Sequence, residues 1–143
     1  MRILAVRLLS TRPEPEAQKS VIRALDDPDE HVQRTALTAL GTTHRVEAVD
    51  AIVSLLGKKR DWPVRVRAAE ALGELGRGSR NPKAVQALSE ASRSDPYALV
   101  REASLRALFE VDPAGARPVL AEAAEKDGEP RVRGLARTLS SAR

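Results

Sequence analysis

The chain has 143 residues, of which 42% are hydrophobic and 31% charged, with 24 basic against 20 acidic side chains and a formal net charge of +4. That balance is too apolar for a disordered chain, and no apolar run is long enough to span a bilayer. It contains no cysteine, which excludes disulfides, thiol catalysis and thiolate metal sites and leaves the cytoplasm as the default compartment.

In chain order, the first element is MRILAVRLLS from Met1 to Ser10. It has a superficial likeness to a secretory signal, but Arg7 interrupts it and no small-x-small cleavage site follows. It also opens a repeat. The phrase returns as VQRTALTALG at Val32, VRVRAAEALG at Val64, VREASLRALF at Val100 and VRGLARTLSS at Val132, starts that lie 31, 32, 36 and 32 residues apart. Such spacing holds two helices and two turns, so the chain is read as a stack of helical hairpins.

Counting the first residue of the phrase as zero, offsets 0, 4, 5, 7 and 8 are apolar: Val32, Ala36, Leu37, Ala39 and Leu40 in the second copy, Val64, Ala68, Ala69, Ala71 and Leu72 in the third. The fourth copy keeps Val100, Leu105, Ala107 and Leu108, with Ser104 the exception. These offsets share one face of a helix, and their many alanines let neighbouring helices approach closely. Between the phrases, four further helices are predicted at roughly 14–26, 46–58, 82–93 and 113–126. The 36-residue spacing places an insertion after Gly73, in a loop from Gly76 to Pro82 that carries Arg77 and Arg80. It is read as a flexible basic loop or as a tolerated insertion.

The two ends differ. In the last copy Arg137 and Ser140 stand at stripe positions, as expected of a polar cap. The first helix is apolar on most sides, which predicts that it docks on another chain or on upstream repeats, 1–143 then being the C-terminal part of a longer array.

The consensus-like VRVRAAEALGELG from Val64 to Gly76, with Asp95 six residues before Arg101 and Asp127 six before Arg133, resembles the HEAT repeat, in particular the short HEAT-like variety of phycobilisome lyases and many bacterial repeat proteins. The resemblance covers essentially the whole chain. It implies an all-α, right-handed α-α superhelix, a HEAT-like helical-hairpin solenoid of about four and a half repeats forming a single domain. It also implies that aspartate and arginine form a ladder between successive turns, which gives Arg65, Arg101 and Arg133 a structural role. Two copies depart from the pattern: Asp27 is followed at that spacing by Gln33, and Arg65 is preceded by Lys59, with Asp61 as the nearer acidic neighbour.

Enzyme chemistry finds no support. His31 and His44 lie in different predicted turns, without the His-x-x-x-His or His-Glu spacing that puts two ligands on one helix face. HEAT-like hydroxylases hold iron through repeated His-Glu pairs, and none occurs here. Glu70 and Glu74 are one helical turn apart, and beside Arg67 and Arg106 they read as surface ion pairs before they read as an acid-base pair. No catalytic residue, metal site or cofactor is therefore assigned. A tetrapyrrole-lyase chaperone role rests on the resemblance alone.

The expected function is a protein-protein interaction scaffold or adaptor. In the HEAT-like family the phrase helices line a concave face, and carrying that over places Arg34 and Thr38, Val66, Arg67, Glu70 and Glu74, and Glu102, Arg106 and Glu110 toward a protein or peptide partner, together with Thr35, Thr42 and Ala103. Trp62 sits at the rim of that face, either as an interface anchor or as packing over the preceding turn. The alternative partner is nucleic acid, held by Lys58, Lys59 and Arg60, by Arg77 and Arg80, and by a last helix bearing Arg131, Arg133, Arg137 and Arg143. Against it, Trp62, Tyr97 and Phe109 are the only aromatic residues, so stacking platforms for single strands are scarce.

Overall fold

The structure, a computed structural model, describes residues 1–43, 46–57 and 59–142. Among these are helices α1 (Arg2–Ser10), α2 (Pro15–Arg23), α3 (Glu30–Thr43), α4 (Val49–Ser54), α5 (Trp62–Leu75), α6 (Pro82–Ser94), α7 (Ala98–Val111), α8 (Pro113–Lys126) and α9 (Pro130–Ser141). Proline occupies the first turn of α2, α5, α6, α8 and α9, where a helix has no use for the missing N–H. The side chain of Asn81 caps α6 by accepting from the N–H groups of Lys83 and Ala84 at 3.1 Å. Asp112 caps α8 through the N–H of Gly115 at 3.0 Å. Two predicted helices are shorter than their apolar pattern: α2 tightens into a 3-10 turn at Ala24–Asp26, and α4 follows another at Val46–Ala48 and ends at Ser54.

The helices α1, α3, α5, α7 and α9 pack side by side, and α4, α6 and α8 form a second layer behind them. The stripe predicted from sequence is the seam between the layers: Leu37, Leu40, Leu72, Leu105 and Leu108 are fully or almost fully buried, with Ala36, Ala68 and Ala107 beside them. Ser104 lies there too, fully buried, and its hydroxyl finds no partner among the described residues. At the last repeat Val132 and Ala136 are buried while Arg137 and Ser140 are exposed. At the first, Val6 is buried and Met1, Leu4 and Leu8 face solvent.

A ladder of ion pairs sets the distance from one turn to the next. Arg65 grips Asp95 with two prongs, Nε to Oδ2 at 2.8 Å and Nη2 to Oδ1 at 3.0 Å, and the two side chains are only 4% and 2% exposed. Arg101 grips Asp127 in the same way at 2.9 and 3.0 Å, and Arg2 reaches Asp27 at 3.1 Å. Each aspartate also accepts the N–H two residues ahead, at Asp29, Tyr97 and Glu129, which closes the turn that starts the next helix. The rungs therefore run from the arginine of one repeat to the aspartate of the following one. Within a repeat the six-residue spacing is served by main chain: Arg101 donates to the Asp95 carbonyl at 2.9 Å, Arg133 to that of Asp127 at 2.7 Å and Gln33 to that of Asp27 at 2.6 Å. Arg65 donates likewise to the Arg60 carbonyl. Its acidic partner is Asp95, and the expected neighbour Asp61 acts on the guanidinium through its charge.

This direction changes the meaning of the two departures. By the repeat register the ladder position facing Gln33 in the next turn is Lys59, and the two line one hollow with Arg60 and Asp61. Gln33 and Lys59 are thus the two ends of one absent rung. Hydrogen bonding to Asp95, against the cost of burial, raises the Arg65 guanidinium pKa. For Asp127, burial pushes the carboxyl up, but the hydrogen bonds from Arg101 and the Glu129 N–H and the charges of Arg101 and Arg133 prevail, holding it below its ordinary value.

Two outcomes follow from the ladder. Gln33→Arg combined with Lys59→Asp should stabilise the fold by more than the sum of the single changes, with a coupling of about 1 kcal/mol; a urea double-mutant cycle giving strict additivity would disprove the absent rung. Because Asp127 titrates lower folded than unfolded, its contribution is complete above about pH 4 and is lost as the pH falls through the folded value. Denaturation midpoints measured across acidic pH should show that decline, and Asp127→Asn should flatten part of it while lowering the neutral-pH midpoint.

Candidate groove between α5 and α7

The odd-numbered helices meet through small residues. A Cβ added at Gly73 would lie 3.0 Å from both Cα and Cβ of Ala107, so α5 and α7 touch there at backbone distance. Over this contact they leave a groove of about 300 Å³. Helix α5 contributes Trp62, Val66, Glu70 and Glu74 to it, and α7 contributes Leu99, Glu102, Arg106 and Glu110, over a floor that includes Ala103 and Ala107. Most of the residues assigned to a partner face by sequence are thus brought together along one channel.

Some of them have other duties. Glu102 and Ala103, expected to point outward, are 9% and 8% exposed, and Arg131 clasps the Glu102 carboxylate at 2.6 Å. Arg67 is spent on the frame: its Nε donates to Thr38 at 2.9 Å and its Nη1 to both Glu70, at 2.9 Å, and Glu74, at 3.3 Å. Thr38 and Arg34 lie on α3, away from the groove lining, and Arg34 pairs with Glu30 at 3.2 Å. Arg106 was expected to share Glu70 and Glu74 with Arg67 and does not.

The rim is aromatic. Trp62 stacks on Tyr97 with ring centroids 5.9 Å apart and planes 20° from parallel, and the Arg65 guanidinium lies 5.5 Å from the Tyr97 centroid. Trp62 therefore packs on the next repeat's turn. Trp62, Tyr97 and Leu99 remain 38%, 49% and 41% exposed. Tyr97 was not assigned to the site from sequence; the available clue was an aromatic residue in the turn one repeat beyond Trp62.

The basic turns are largely neutralised. Arg60 stands 3.7 Å from Asp26, Arg77 3.2 Å from Glu110 and Arg80 3.8 Å from Asp112, and Lys59 is exposed. The loop expected to be flexible is pinned to the end of α7: the Gly78 N–H donates to the Glu110 carbonyl at 2.9 Å and that of Arg80 to Val111 at 3.1 Å. The insertion achieves this with a left-handed backbone at Gly78 and Arg80, φ 69° and 53°, a conformation natural to glycine and costly for arginine. On α9, Arg133 and Arg137 donate to the carbonyls of Asp127 and Ala124. His31 is exposed in the first turn of α3. His44, Lys58 and Arg143 lie outside the described residues. Among those described, no group of His, Asp and Glu could hold a metal ion, and no helix is long and apolar enough to cross a membrane.

Two layers of stacked helical hairpins with a partly apolar groove along one layer define an α-solenoid repeat protein. A family model described as HEAT repeats matches residues 1–73 and 24–109, and the chain belongs to the HEAT-repeat family. Among solved structures it is similar to a chain in "The structure of the complex of CpcE and CpcF of phycocyanin lyase from Nostoc sp. PCC7120", at 23% identity and a TM-score of 0.66. The match covers 96% of this chain and 57% of that one. No curated protein matches by sequence.

The close approach at Gly73 has a measurable signature. A methyl there gains up to about 1 kcal/mol of helix propensity but forces α5 and α7 apart, at a cost of roughly 1–3 kcal/mol. Gly73→Ala should therefore lower the melting temperature, whereas Gly134→Ala, where an added Cβ meets nothing within 4 Å, should raise it. Equal shifts in thermal denaturation would contradict the backbone contact.

Proposed function

We propose that this chain is a non-catalytic scaffold or adaptor, a single solenoid over residues 1–143, that takes a protein or peptide in the groove between α5 and α7. The observation that carries this is the Trp62–Tyr97 stack. Two of the three aromatic residues in the chain are held together, half out of the core, where the groove opens. Leaving such surface in water is unfavourable, and a rigid tryptophan beside a pocket is the chemistry of an interface hot spot. The groove walls carry both signs of charge, which suits a polypeptide better than a polyanion.

Trp62 is the sole tryptophan, so its fluorescence reports directly on the groove. Binding of the physiological partner should shield it from acrylamide quenching. In capture from native lysate, the retained protein should survive nuclease and be lost with Trp62→Ala, Arg106→Glu, a variant that leaves Arg67 and the ladder intact. Capture abolished by nuclease and insensitive to that variant would instead assign the partner as nucleic acid on the basic turns.

A further inference from the structure

Resting on the groove reading above, we propose that the occupant is an acidic, apolar-anchored peptide segment. A bulky apolar side chain seats against Trp62, and a neighbouring carboxylate pairs with Arg106.

The inference starts from an arginine that ought to be paired. Arg106 has Glu102 four residues before it and Glu110 four residues after it on α7, the spacing at which exposed helices form ion pairs. It makes no hydrogen bond or ion pair with any described residue. The reason is that both neighbours are taken from outside the groove, Glu102 by Arg131 at 2.6 Å and Glu110 by Arg77 at 3.2 Å. Arg106 is thereby left exposed on the groove wall with its guanidinium donors unspent, in the form that recognises a carboxylate through two parallel hydrogen bonds.

The opposite wall sets a limit on the charge admitted. Glu70 and Glu74 share the single Nη1 of Arg67, so α5 keeps a surplus carboxylate facing the channel. One anion beside Arg106 is accommodated, while a run of anions meets repulsion from α5. That separates an acidic peptide from nucleic acid. Val66, Leu99 and Ala103 complete the apolar end next to Trp62, and the Tyr97 stack holds the indole in place, so little ordering is required on binding. A volume of about 300 Å³ accepts a few side chains of an extended segment.

Random peptides displayed on phage, selected against the whole chain, provide the probe. Enriched sequences should share Asp or Glu close to Leu, Phe or Trp. Their fluorescein-labelled versions should bind Arg106→Gln at least about tenfold more weakly and should lose binding to Trp62→Ala, with circular dichroism and melting showing both variants folded. Glu70→Gln with Glu74→Gln should retain binding and admit peptides carrying additional acidic residues. Enrichment of basic peptides, or tighter binding to Arg106→Gln, would overturn the acidic occupant while continued dependence on Trp62 preserved the groove. No enrichment, or peptides indifferent to both Trp62 and Arg106, would overturn the groove reading as well.

Discussion

The buried pair of Arg65 and Asp95 is the constraint on which the centre of the molecule depends. Two charges at 4% and 2% side-chain exposure survive desolvation only because every arm is used: two prongs between the partners, the Arg60 carbonyl on the guanidinium, and the Tyr97 N–H on the carboxylate. Removing either partner strands an uncompensated charge, at a cost of about 3–5 kcal/mol. The pair thereby ties the start of α5 to the turn that begins α7. That turn presents Tyr97, and Tyr97 carries Trp62. The aromatic rim of the groove is thus an extension of the ladder, and its rigidity comes from a salt bridge in the frame.

A second constraint governs the depth of the groove. Ala and Gly on the facing sides of α5 and α7 bring the helices to backbone contact near Gly73 and Ala107. Toward their N-terminal ends, Trp62, Val66 and Leu99 line the groove above that contact. The small-residue seam thus lies in the floor of the groove, and larger side chains from Trp62 to Glu110 stand along its walls. Glutamates fill the margin: Glu74 leans over Gly41 and Glu110 over Gly73, where an added Cβ would meet their carboxylate oxygens at 2.7 and 3.4 Å. Both are then bound by arginines, Arg67 and Arg77. Small residues in one repeat make room for acidic residues of the next, and this pairing determines which charges stay available.

The architecture was legible in the amino-acid order because it rests on local information. A ten-residue phrase, its apolar offsets and the prolines between phrases determine helix type, helix count and the buried stripe, since helical periodicity is a property of neighbouring residues. The groove walls were legible through the family resemblance, which implies a shared face for the offsets between the stripe positions, and the fold brings Val66, Glu70, Glu74, Arg106 and Glu110 to one channel. Glu102 and Ala103 line the same channel but are largely covered, and the Glu102 carboxylate is taken by Arg131.

Pairing between repeats was settled by the tertiary structure alone. Sequence spacing links Asp95 to Arg101, whereas the fold gives the Asp95 carboxylate to Arg65, 30 residues away, and leaves Arg101 the carbonyl. Gln33 and Lys59 look like two unrelated departures along the chain and become one absent rung in space. The loop at Gly78 and Arg80 reads as flexible until the end of α7 supplies carbonyls for its N–H groups. Arg106 reads as one charge among many until its two glutamates are seen in the hands of Arg131 and Arg77. The physical reason is common to all four. Which side chains share a helix face follows from chain geometry, whereas which charges meet depends on how one repeat is set against the next, and ion pairs are decided over a few ångströms.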